Sequence, residues 1–387
     1  MNRKVFFVTA AVFFCMLAAN VLSVHAATRP MRVVYGFDRE FPPFSFEDPG
    51  GKPVGFEVEI LEAIFKNSAT LVMRPLQWQI IPTELASNVI NITSGMVKTE
   101  ERAKVFSFAT RATIQLQIRL FTKIHNRYPN ATFLRGQRVA VEQGSYPHRL
   151  LEAFGGINIK TFPDKIAPLR ALYGEEVEAY CGPVQSAYYY MNRLNYGGIS
   201  TLGTPLGTAE LRFAVNRDRG DILRALDEGM SQLIKSGEYD RIYRKWFARE
   251  LQGDEGTRML SAAKEAVLTA YAPYSKQIRG AAILTATGKI YKGTLVENAA
   301  RSLSFSALPA ALAAAVGAGD LEILAAIVVD ANGTPQDLTK EECQLLYEFG
   351  RGILAVTFDP QGRPVTKMVG ELLPNPVTHN AAGRAGQ

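Results

Sequence analysis

The segment FPPFSFEDPGGKPVGFEVEILEAI (41–64) contains the first clear helix signal of the chain. Its second half places apolar residues at helical spacing from about Phe56 to Phe65. A short strand signal, MRVVYGF (31–37), precedes the segment, and a second one, TLVMRPL (70–76), follows it. A helix between two strands is typical of an α/β fold with a mostly parallel sheet.

The same alternation continues further along the chain. RVAVEQG (138–144) predicts a new strand that leads into a helix over HRLLEAF (148–154). ILRALDEGMSQLIKSGEYDRIYRKWF (222–247) predicts two helices that are broken at Ser236 and Gly237. The α/β pattern therefore extends to about residue 250.

Length and composition limit the classes of function. A chain of 387 residues is too long for one ordinary core, so two or three domains are expected. The net charge of +6 is mild for this length and no dense Lys/Arg block is present, which excludes a nucleic-acid function. Cys181 and Cys343 are far apart in the sequence, and two buried free thiols are favoured over a disulfide.

Residues 1–26 have the order of basic, apolar and small residues that is typical of a secretory signal peptide. Arg3 and Lys4 precede an apolar run that extends from Val5 to about Leu22, and cleavage is expected after Ala26. The apolar run is also long enough for an uncleaved membrane anchor, which stays an alternative. Either way, the rest of the chain is expected outside the cytoplasm.

Five motifs between residues 41 and 247 occur in one order and at suitable spacing. They are FPPFSFEDPGGKPVGFEVEILEAI (41–64), Trp78, SGMVKTEERAKVFSFA (94–109), VAVEQGS (139–145) and SGEYDRIYRKWF (236–247). Together they resemble the family 3 extracellular solute-binding proteins, periplasmic receptors for polar amino acids and related solutes, over residues 31–250. The resemblance implies two α/β lobes joined by two hinge strands. Lobe one would cover about 31–119 and 207–250, and lobe two about 120–206, with an ABC permease or a membrane sensor as partner.

The resemblance also implies a ligand site for a small solute that carries a carboxylate. The implied ligand-binding residues are Arg102, Thr99, Ser145, Phe41, Asp38 and Gly95. Arg102 is expected to bind the carboxylate through two parallel hydrogen bonds, because a guanidinium matches its geometry. The alternative for Arg102 is a surface ion pair with Glu100 or Glu101.

The other implied residues have alternatives of their own. Ser145 begins a helix, where a hydroxyl and free N–H groups suit an anion, and a plain N-cap role is compatible with that. Phe41 would form an aromatic wall over the solute or would belong to the core. Asp38 would receive a cationic group, and Trp78 is expected to serve packing of the lobe rather than contact.

Two positions depart from the family pattern. Val97 replaces a hydroxyl residue, and Pro183 stands where an acidic residue usually pairs with the amino group of the ligand. A buried ammonium without a carboxylate is costly. A solute with a carboxylate and no ammonium therefore fits better than an ordinary α-amino acid, and loss of small-solute binding, leaving a binding or sensory scaffold, stays open.

A second α/β unit follows a polar linker predicted over 251–259. Its motifs are AYAPYS (270–275), RGAAILTATGKIYKG (279–293), VENA (296–299), QLLYEFG (344–350) and ELLP (371–374). They resemble cytidine deaminase over residues 260–376, which implies a three-layer α/β/α domain followed by a tail over 377–387.

The residues that this chemistry requires are absent from the second unit. The enzyme pattern C/H-x-E is here Ser306-Ala307-Leu308, and P-C-x-x-C corresponds to residues 338–342, which contain no cysteine. Of the nucleoside contacts only Glu297 remains, and alone it is expected to be structural. The sequence therefore predicts no metal, no cofactor, no catalytic residue and no enzyme activity, with an active deaminase as the weaker alternative. The alanine-rich helix after Ser306 would pack on a sheet or on another subunit, so a homo-oligomer through this domain is possible.

Overall fold

Two long strands connect two α/β lobes in the first part of the chain. The computed structural model describes residues 31–126, 128–247 and 249–377. The connecting strands are β8 (Ile114–Lys123) and β12 (Ile199–Asn216). The predicted signal peptide and all of the predicted tail except Val377 lie outside the described residues. Within them, no helix is long and apolar enough to cross a membrane.

Lobe one contains the N-terminal strands and the two helices that follow β12. Its strands are β1 (Met31–Asp38), β2 (Glu40–Phe41), β3 (Ser45–Glu47), β4 (Pro53–Val54), β5 (Ala69–Leu76), β6 (Ile92–Val97) and β7 (Phe106–Phe108). Its helices are α1 (Phe56–Phe65), α2 (Ile81–Ala86), α3 (Glu100–Val105), α7 (Gly220–Ser236) and α8 (Glu238–Phe247). The break between α7 and α8 lies at Gly237, whose φ of 77° favours glycine.

Lobe two lies between the two connecting strands in the sequence. Its strands are β9 (Arg138–Glu142), β10 (Asn158–Phe162) and β11 (Ala179–Pro183), and its helices are α4 (Tyr146–Phe154), α5 (Ile166–Tyr173) and α6 (Val184–Leu194). Apolar residues at helical spacing bury one face of each helix, as Leu151 does in α4 and Leu169 and Leu172 do in α5.

A mixed sheet runs through both lobes. Among the described residues its strand order is β10-β9-β11-β8-β12-β6-β1-β5, with β7 also paired to β12. In this sheet β1 is parallel to β5 and β6, and β9 is parallel to β10 and β11. Strands β2, β3 and β4 of lobe one form a separate antiparallel sheet. Strands β8 and β12 are antiparallel to each other and to their neighbours, because the chain crosses to lobe two on one and returns on the other. The prediction of a mostly parallel sheet is therefore correct for each lobe but not for the hinge.

The C-terminal domain has a sheet of its own, with order β14-β13-β15-β17-β18 in the described residues. Its strands are β13 (Gly280–Thr285), β14 (Ile290–Thr294), β15 (Ile323–Val329), β16 (Pro335–Gln336), β17 (Leu354–Phe358) and β18 (Pro364–Met368). Its helices are α9 (Glu255–Val267), α10 (Ala307–Gly317), α11 (Lys340–Tyr347) and α12 (Val369–Leu372). The pattern matches the predicted three-layer α/β/α domain.

The alanine-rich helix α10 packs closely on this sheet. Ala311 and Ala315 are fully buried, and a Cβ added at Gly293 of β14 would lie 2.2 Å from the backbone of Ala307. Small residues on both sides therefore let the helix backbone approach the strand. Ser306 occupies the N-cap position of α10, but its side chain makes no capping hydrogen bond.

The two parts of the chain share a buried apolar cluster that includes Tyr243 of α8 and Leu354 of β17. Arg351 of the C-terminal domain pairs with Asp240 of α8 at 2.5 Å and lies over the ring of Tyr239, with its guanidinium carbon 4.5 Å from the ring centroid. The C-terminal domain is thus docked on lobe one rather than attached only through a linker.

Helix α9 begins inside the range predicted as a linker. The Glu255 carboxylate accepts a hydrogen bond from the Gln252 N–H at 2.7 Å and pairs with Arg249 at 2.9 Å, and these contacts hold the start of the helix. The irregular stretch is therefore limited to about 251–254. Cys181 and Cys343 are both buried and free, as predicted.

Candidate functional site

A cavity between the two lobes collects the carboxyl ends of four strands. Asp38, Val97, Glu142 and Pro183 are the last residues of β1, β6, β9 and β11, and all four line this cavity. Carboxyl ends of strands form the ligand crevice in open α/β sheets. The cavity volume is about 50 Å³, whereas ligand pockets usually measure roughly 300–1,000 Å³. The cleft is therefore nearly closed.

Contacts between the lobes keep the cleft in this closed arrangement. The Ser186 hydroxyl of lobe two donates a hydrogen bond to the Pro42 carbonyl at 2.5 Å, and the Tyr190 hydroxyl donates one to the Glu40 carbonyl at 2.8 Å. Glu101 of lobe one also pairs with Arg149 of lobe two. These contacts bring residues of both lobes against the same cavity.

Five of the six predicted ligand-binding residues line the cavity. They are Asp38, Phe41, Gly95, Arg102 and Ser145. Thr99 does not line it, because its hydroxyl caps helix α3 and accepts a hydrogen bond from the Arg102 N–H at 3.3 Å. Thr99 therefore positions the helix that carries Arg102, and the structure gives no direct contact between its hydroxyl and the cavity.

Arg102 directs its guanidinium toward the cavity. Nη1 donates one hydrogen bond to the Val97 carbonyl at 3.0 Å, and the guanidinium carbon lies 5.3 Å from the centroid of the Trp78 ring. Among the described residues no carboxylate lies within ion-pair distance of Arg102, since Glu101 pairs with Arg149 instead. Burial and the neighbouring Arg149 lower the pKa of Arg102 to about 10. A half-buried cation with spare donors is suited to an anionic solute.

Ser145 is the N-cap of α4 and lines the cavity, while its contact with a solute stays a prediction. It is 6% exposed, its hydroxyl donates to the Glu142 carbonyl at 2.7 Å, and its oxygen accepts from the His148 N–H at 3.3 Å. The residue caps α4 at the edge of the cavity, so the start of this helix faces the solute position. Gly95 has a φ of 68°, and a Cβ there would meet the Phe41 ring at 3.0 Å. Glycine at this position lets the aromatic ring lie flat against β6.

Lys165 is the residue that sequence reasoning missed. Its ammonium contacts the Asp38 carboxylate of lobe one and lies 2.9 Å from Oε1 of Glu142 in lobe two. It also lies 4.8 Å from the centroid of the Phe41 ring. Asp38 was expected to receive a cationic group, and the chain itself supplies that group.

Local structure explains how Lys165 reaches the cleft. It immediately precedes α5, and the Asp164 carboxylate accepts hydrogen bonds from the N–H groups of Ile166 and Ala167 at 2.8 and 2.6 Å. This turn directs the lysine side chain inward. No local pattern announces the role, because Asp38 and Glu142 are 127 and 23 positions away in the sequence.

The charges of this group are strongly perturbed. Burial acts to lower the pKa of Lys165, but the carboxylates of Asp38 and Glu142 outweigh it and raise the pKa above its usual range. Burial raises the pKa of Glu142, Lys165 opposes this shift and Asp38 reinforces it. The lysine is therefore charged at neutral pH, and Glu142 takes up a proton more readily than an exposed glutamate does.

A third buried carboxyl, that of Glu57, lies close to Gly95 of the cavity lining. Glu57 of α1 is fully buried, and its Oε1 accepts a hydrogen bond from the Thr113 hydroxyl at 2.5 Å. Burial raises its pKa to about 7, against hydrogen bonds from Thr113 and Ser94 that lower it. The position gives lobe one a pH-sensitive element close to Phe41 and Gly95.

Trp78 takes part in the cleft, in addition to the packing predicted for it. Its ring lines the cavity beneath Arg102, and its indole Nε1 donates to the Gly144 carbonyl of lobe two at 3.5 Å. Pro183 lines the cavity without offering an acidic group. No residue at that position can therefore neutralise an ammonium of the solute.

The likeness to cytidine deaminase implies a zinc site in the C-terminal domain, but the residues at the corresponding positions do not fit the metal. Leu308 is fully buried in an apolar cluster. Thr339 and Glu342 cap helix α11: the Thr339 hydroxyl accepts a hydrogen bond from the Glu342 N–H at 3.2 Å, and the Glu342 carboxylate accepts one from the Thr339 N–H at 2.9 Å. Cys343 is buried in the same apolar cluster, and burial raises the pKa of its thiol. Four-coordinate zinc needs thiolate or imidazole donors directed at one point. No group of three His, Cys, Asp or Glu side chains in the described part of the chain is arranged to hold a metal ion.

Glu297 has a structural function in this domain. Its carboxylate accepts hydrogen bonds from the N–H groups of Tyr274 and Ser275 at 2.9 and 3.1 Å, and these contacts lower its pKa together with the Ser275 hydroxyl. It thereby holds the loop that follows α9.

Comparison with known proteins agrees with both resemblances. The sequence pattern of the bacterial extracellular solute-binding proteins, family 3, matches residues 33–249, and that of the cytidine and deoxycytidylate deaminase zinc-binding region matches residues 232–342. The second match begins in α7, upstream of the predicted domain start at residue 260.

The curated relatives are amino-acid-binding proteins. The L-cystine-binding protein TcyJ of Escherichia coli (strain K12) is 25% identical over 224 residues, which cover 57% of this chain and 84% of the relative. The histidine-binding periplasmic protein of Salmonella typhimurium (strain LT2) is 24% identical over 260 residues, which cover 62% of this chain and 96% of the relative.

Solved structures with the same two-lobe fold include an ancestral arginine-binding protein bound to glutamine. The match has a TM-score of 0.52 and 27% sequence identity, and it covers 56% of this chain and 97% of the arginine-binding protein. A histidine kinase sensor domain with similarity to periplasmic binding proteins has a TM-score of 0.54 and 25% identity, and covers 57% and 97%. Since the family pattern spans more than half of the 387 residues, this chain belongs to the bacterial extracellular solute-binding proteins, family 3, and carries a cytidine deaminase-like domain at its C-terminus.

Proposed function

We propose that this chain is a periplasmic receptor of the amino-acid ABC-transporter type that closes on a small solute carrying a carboxylate. The observation that carries the proposal is the guanidinium of Arg102, which faces the cavity between the lobes, stacks on Trp78 and keeps donors free. Ser145 at the start of α4 would complete the anion site from lobe two. The periplasmic location is supported by the relatives and by the signal predicted over residues 1–26.

The proposal is tested on the chain without residues 1–26 by a thermal-shift screen of small carboxylates and amino acids. A bound solute raises the melting temperature by mass action, and the shift grows with solute concentration. Isothermal titration calorimetry then gives the dissociation constant of each hit. If no small carboxylate at millimolar concentration shifts the transition, the carboxylate-receptor proposal is wrong.

A sensory role is the second candidate, favoured by the likeness to the sensor domain of a histidine kinase. In that case the closed receptor would signal to a membrane protein instead of delivering the solute. Uptake of radiolabelled solute separates the two. A strain that lacks this chain should lose high-affinity uptake if the chain serves a permease, and should keep it if the chain is a sensor.

For the C-terminal domain we propose a non-catalytic role in assembly. Its support is the residue content, with Ser306 and Leu308 at the positions where the chemistry needs a zinc ligand and a proton carrier. The domain also exposes apolar side chains at adjacent positions, since Tyr271 is bridged to Val296 and Val296 to Phe305. An exposed apolar patch is typical of a contact between proteins. Light scattering of the wild type and of Phe305→Glu would show whether this patch holds a homo-oligomer together.

A further inference from the structure

The cleft contains a built-in cation held by two carboxylates. Asp38, Glu142 and Lys165 are 4%, 8% and 8% exposed, and the two carboxylates come from different lobes. Two buried carboxylates that face one point need a cation between them, because a buried unpaired charge is unfavourable. In this chain the ammonium of Lys165 takes that place.

A second cation, that of Arg102, lies near Lys165 in the lining of the cavity. The guanidinium of Arg102 and the ammonium of Lys165 lie 5.3 and 5.9 Å from the centroid of the Trp78 ring, so both cations border the same part of the cavity. Both carboxylates of the cavity lining, Asp38 and Glu142, are already paired with Lys165, and Pro183 adds no further acidic group. A solute with an ammonium or guanidinium group would therefore find no unpaired carboxylate in the cleft and would meet the like charge of Arg102, which is unfavourable.

We propose that Lys165 determines the specificity of this receptor: its ammonium occupies the cation position of the cleft, so the receptor accepts small carboxylates without a cationic group and rejects amino acids. This rests on the proposed function, since it names the solute class of the same cleft. Suitable solutes are small monocarboxylates, 2-oxo acids and dicarboxylates. Their anionic end would bind Arg102, and an uncharged part of the solute would lie near Lys165, because Asp38 and Glu142 flank its ammonium.

The proposal predicts a gain of binding when the lysine side chain is shortened. Lys165→Ala removes the chain from Cγ to Nζ, which has the composition and length of a propylammonium ion. The variant leaves two buried carboxylates with room for a cation between them. It should therefore bind n-propylammonium and L-lysine, which the wild type rejects.

Lys165→Met is the matched control, because methionine removes the charge but fills most of the space. The test compares the wild type, Lys165→Ala and Lys165→Met by calorimetry with n-propylammonium chloride, L-lysine, L-arginine and succinate. We expect Lys165→Ala to bind n-propylammonium or L-lysine at least tenfold more tightly than the wild type does, with no such gain in Lys165→Met. Sodium chloride at equal ionic strength controls for salt.

Two results would overturn the proposal. One is a wild type that binds L-lysine or L-arginine as tightly as its best carboxylate. The other is a folded Lys165→Ala that gains no affinity for any ammonium probe. If Lys165→Ala does not fold alone, n-propylammonium should restore its folding where sodium chloride does not, and equal restoration by the two salts would count against the proposal. Failure of the receptor proposal itself would give a different result. In that case no carboxylate would bind the wild type, whether or not Lys165→Ala binds the ammonium probes.

Discussion

Replacing Arg102 by alanine should separate affinity from stability. The change removes the guanidinium that faces the cavity while leaving helix α3 capped by Thr99. Loss of one partner of a buried, charge-assisted hydrogen-bonded pair costs about 2–5 kcal/mol, which raises the dissociation constant for a carboxylate by roughly 30- to 5,000-fold. Arg102→Lys should restore only part of this, because an ammonium cannot form the parallel pair of hydrogen bonds.

The stability of the solute-free protein should hardly change. Burial and Arg149 lower the pKa of Arg102 from 12.5 to about 10, and this shift corresponds to roughly 3 kcal/mol against the charged side chain in the folded state. The alanine variant is relieved of that penalty but loses the stacking on Trp78 and the hydrogen bond to Val97, at about 1 kcal/mol each. The opposing contributions nearly cancel, so we expect a change within about 1–2 kcal/mol.

Calorimetry with the best carboxylate of the screen measures the affinity, and urea unfolding without solute measures the stability. Arg111→Ala is the matched control, since Arg111 is an exposed arginine of lobe one that does not line the cavity. It should leave both quantities unchanged. Unaltered affinity in Arg102→Ala, or an equal loss in Arg111→Ala, would refute the assignment of the anion site.

Three more outcomes are expected. The pKa of Glu57 is raised to about 7 in the folded protein. The stability that the protonated carboxyl contributes is therefore fully present below about pH 4.5 and is lost as the pH rises through 7. In urea unfolding Glu57→Gln should therefore match the wild type near pH 4.5 and exceed it by about 3 kcal/mol near pH 8, and a pH-independent difference would contradict this. Arg351→Ala removes the partner of Asp240 at the domain contact, so trypsin should cut after Arg249, at the start of the irregular stretch, faster than in the wild type. Replacement of the exposed Arg363 by alanine should leave the cleavage rate unchanged. Purified wild type should contain no stoichiometric zinc by elemental analysis and release no ammonia from cytidine, and one zinc per chain would oppose the non-catalytic proposal.

The secondary structure could largely be predicted because it depends on local patterns. The strand and helix around the 41–64 segment, the strand and helix over 138–154 and the break at Gly237 all follow from periodicity and turn residues. The linker prediction failed at its second half, since the helix start at Glu255 depends on contacts with Arg249 and Gln252 that a polar, glycine-containing segment does not reveal.

The candidate site was predictable only where a motif spans a few residues. Arg102 and Ser145 lie in short motifs at the starts of helices, and the structure places both at the cavity. Thr99 stays a predicted ligand contact, because a threonine before a helix serves equally as a cap and its hydroxyl here accepts a hydrogen bond from the Arg102 N–H.

The sequence by itself determined the α/β class, the family resemblance of both parts, and the absence of cysteine ligands from the deaminase-like region. These depend on residue identity and on spacing along the chain. Tertiary structure alone decided that Lys165 lies between Asp38 and Glu142, and that Arg351 docks the C-terminal domain on lobe one. Both are pairings between residues far apart in the chain. The interaction between such charges becomes strong only when folding removes them from water and brings them within a few ångströms of each other. No local sequence pattern predicts that contact.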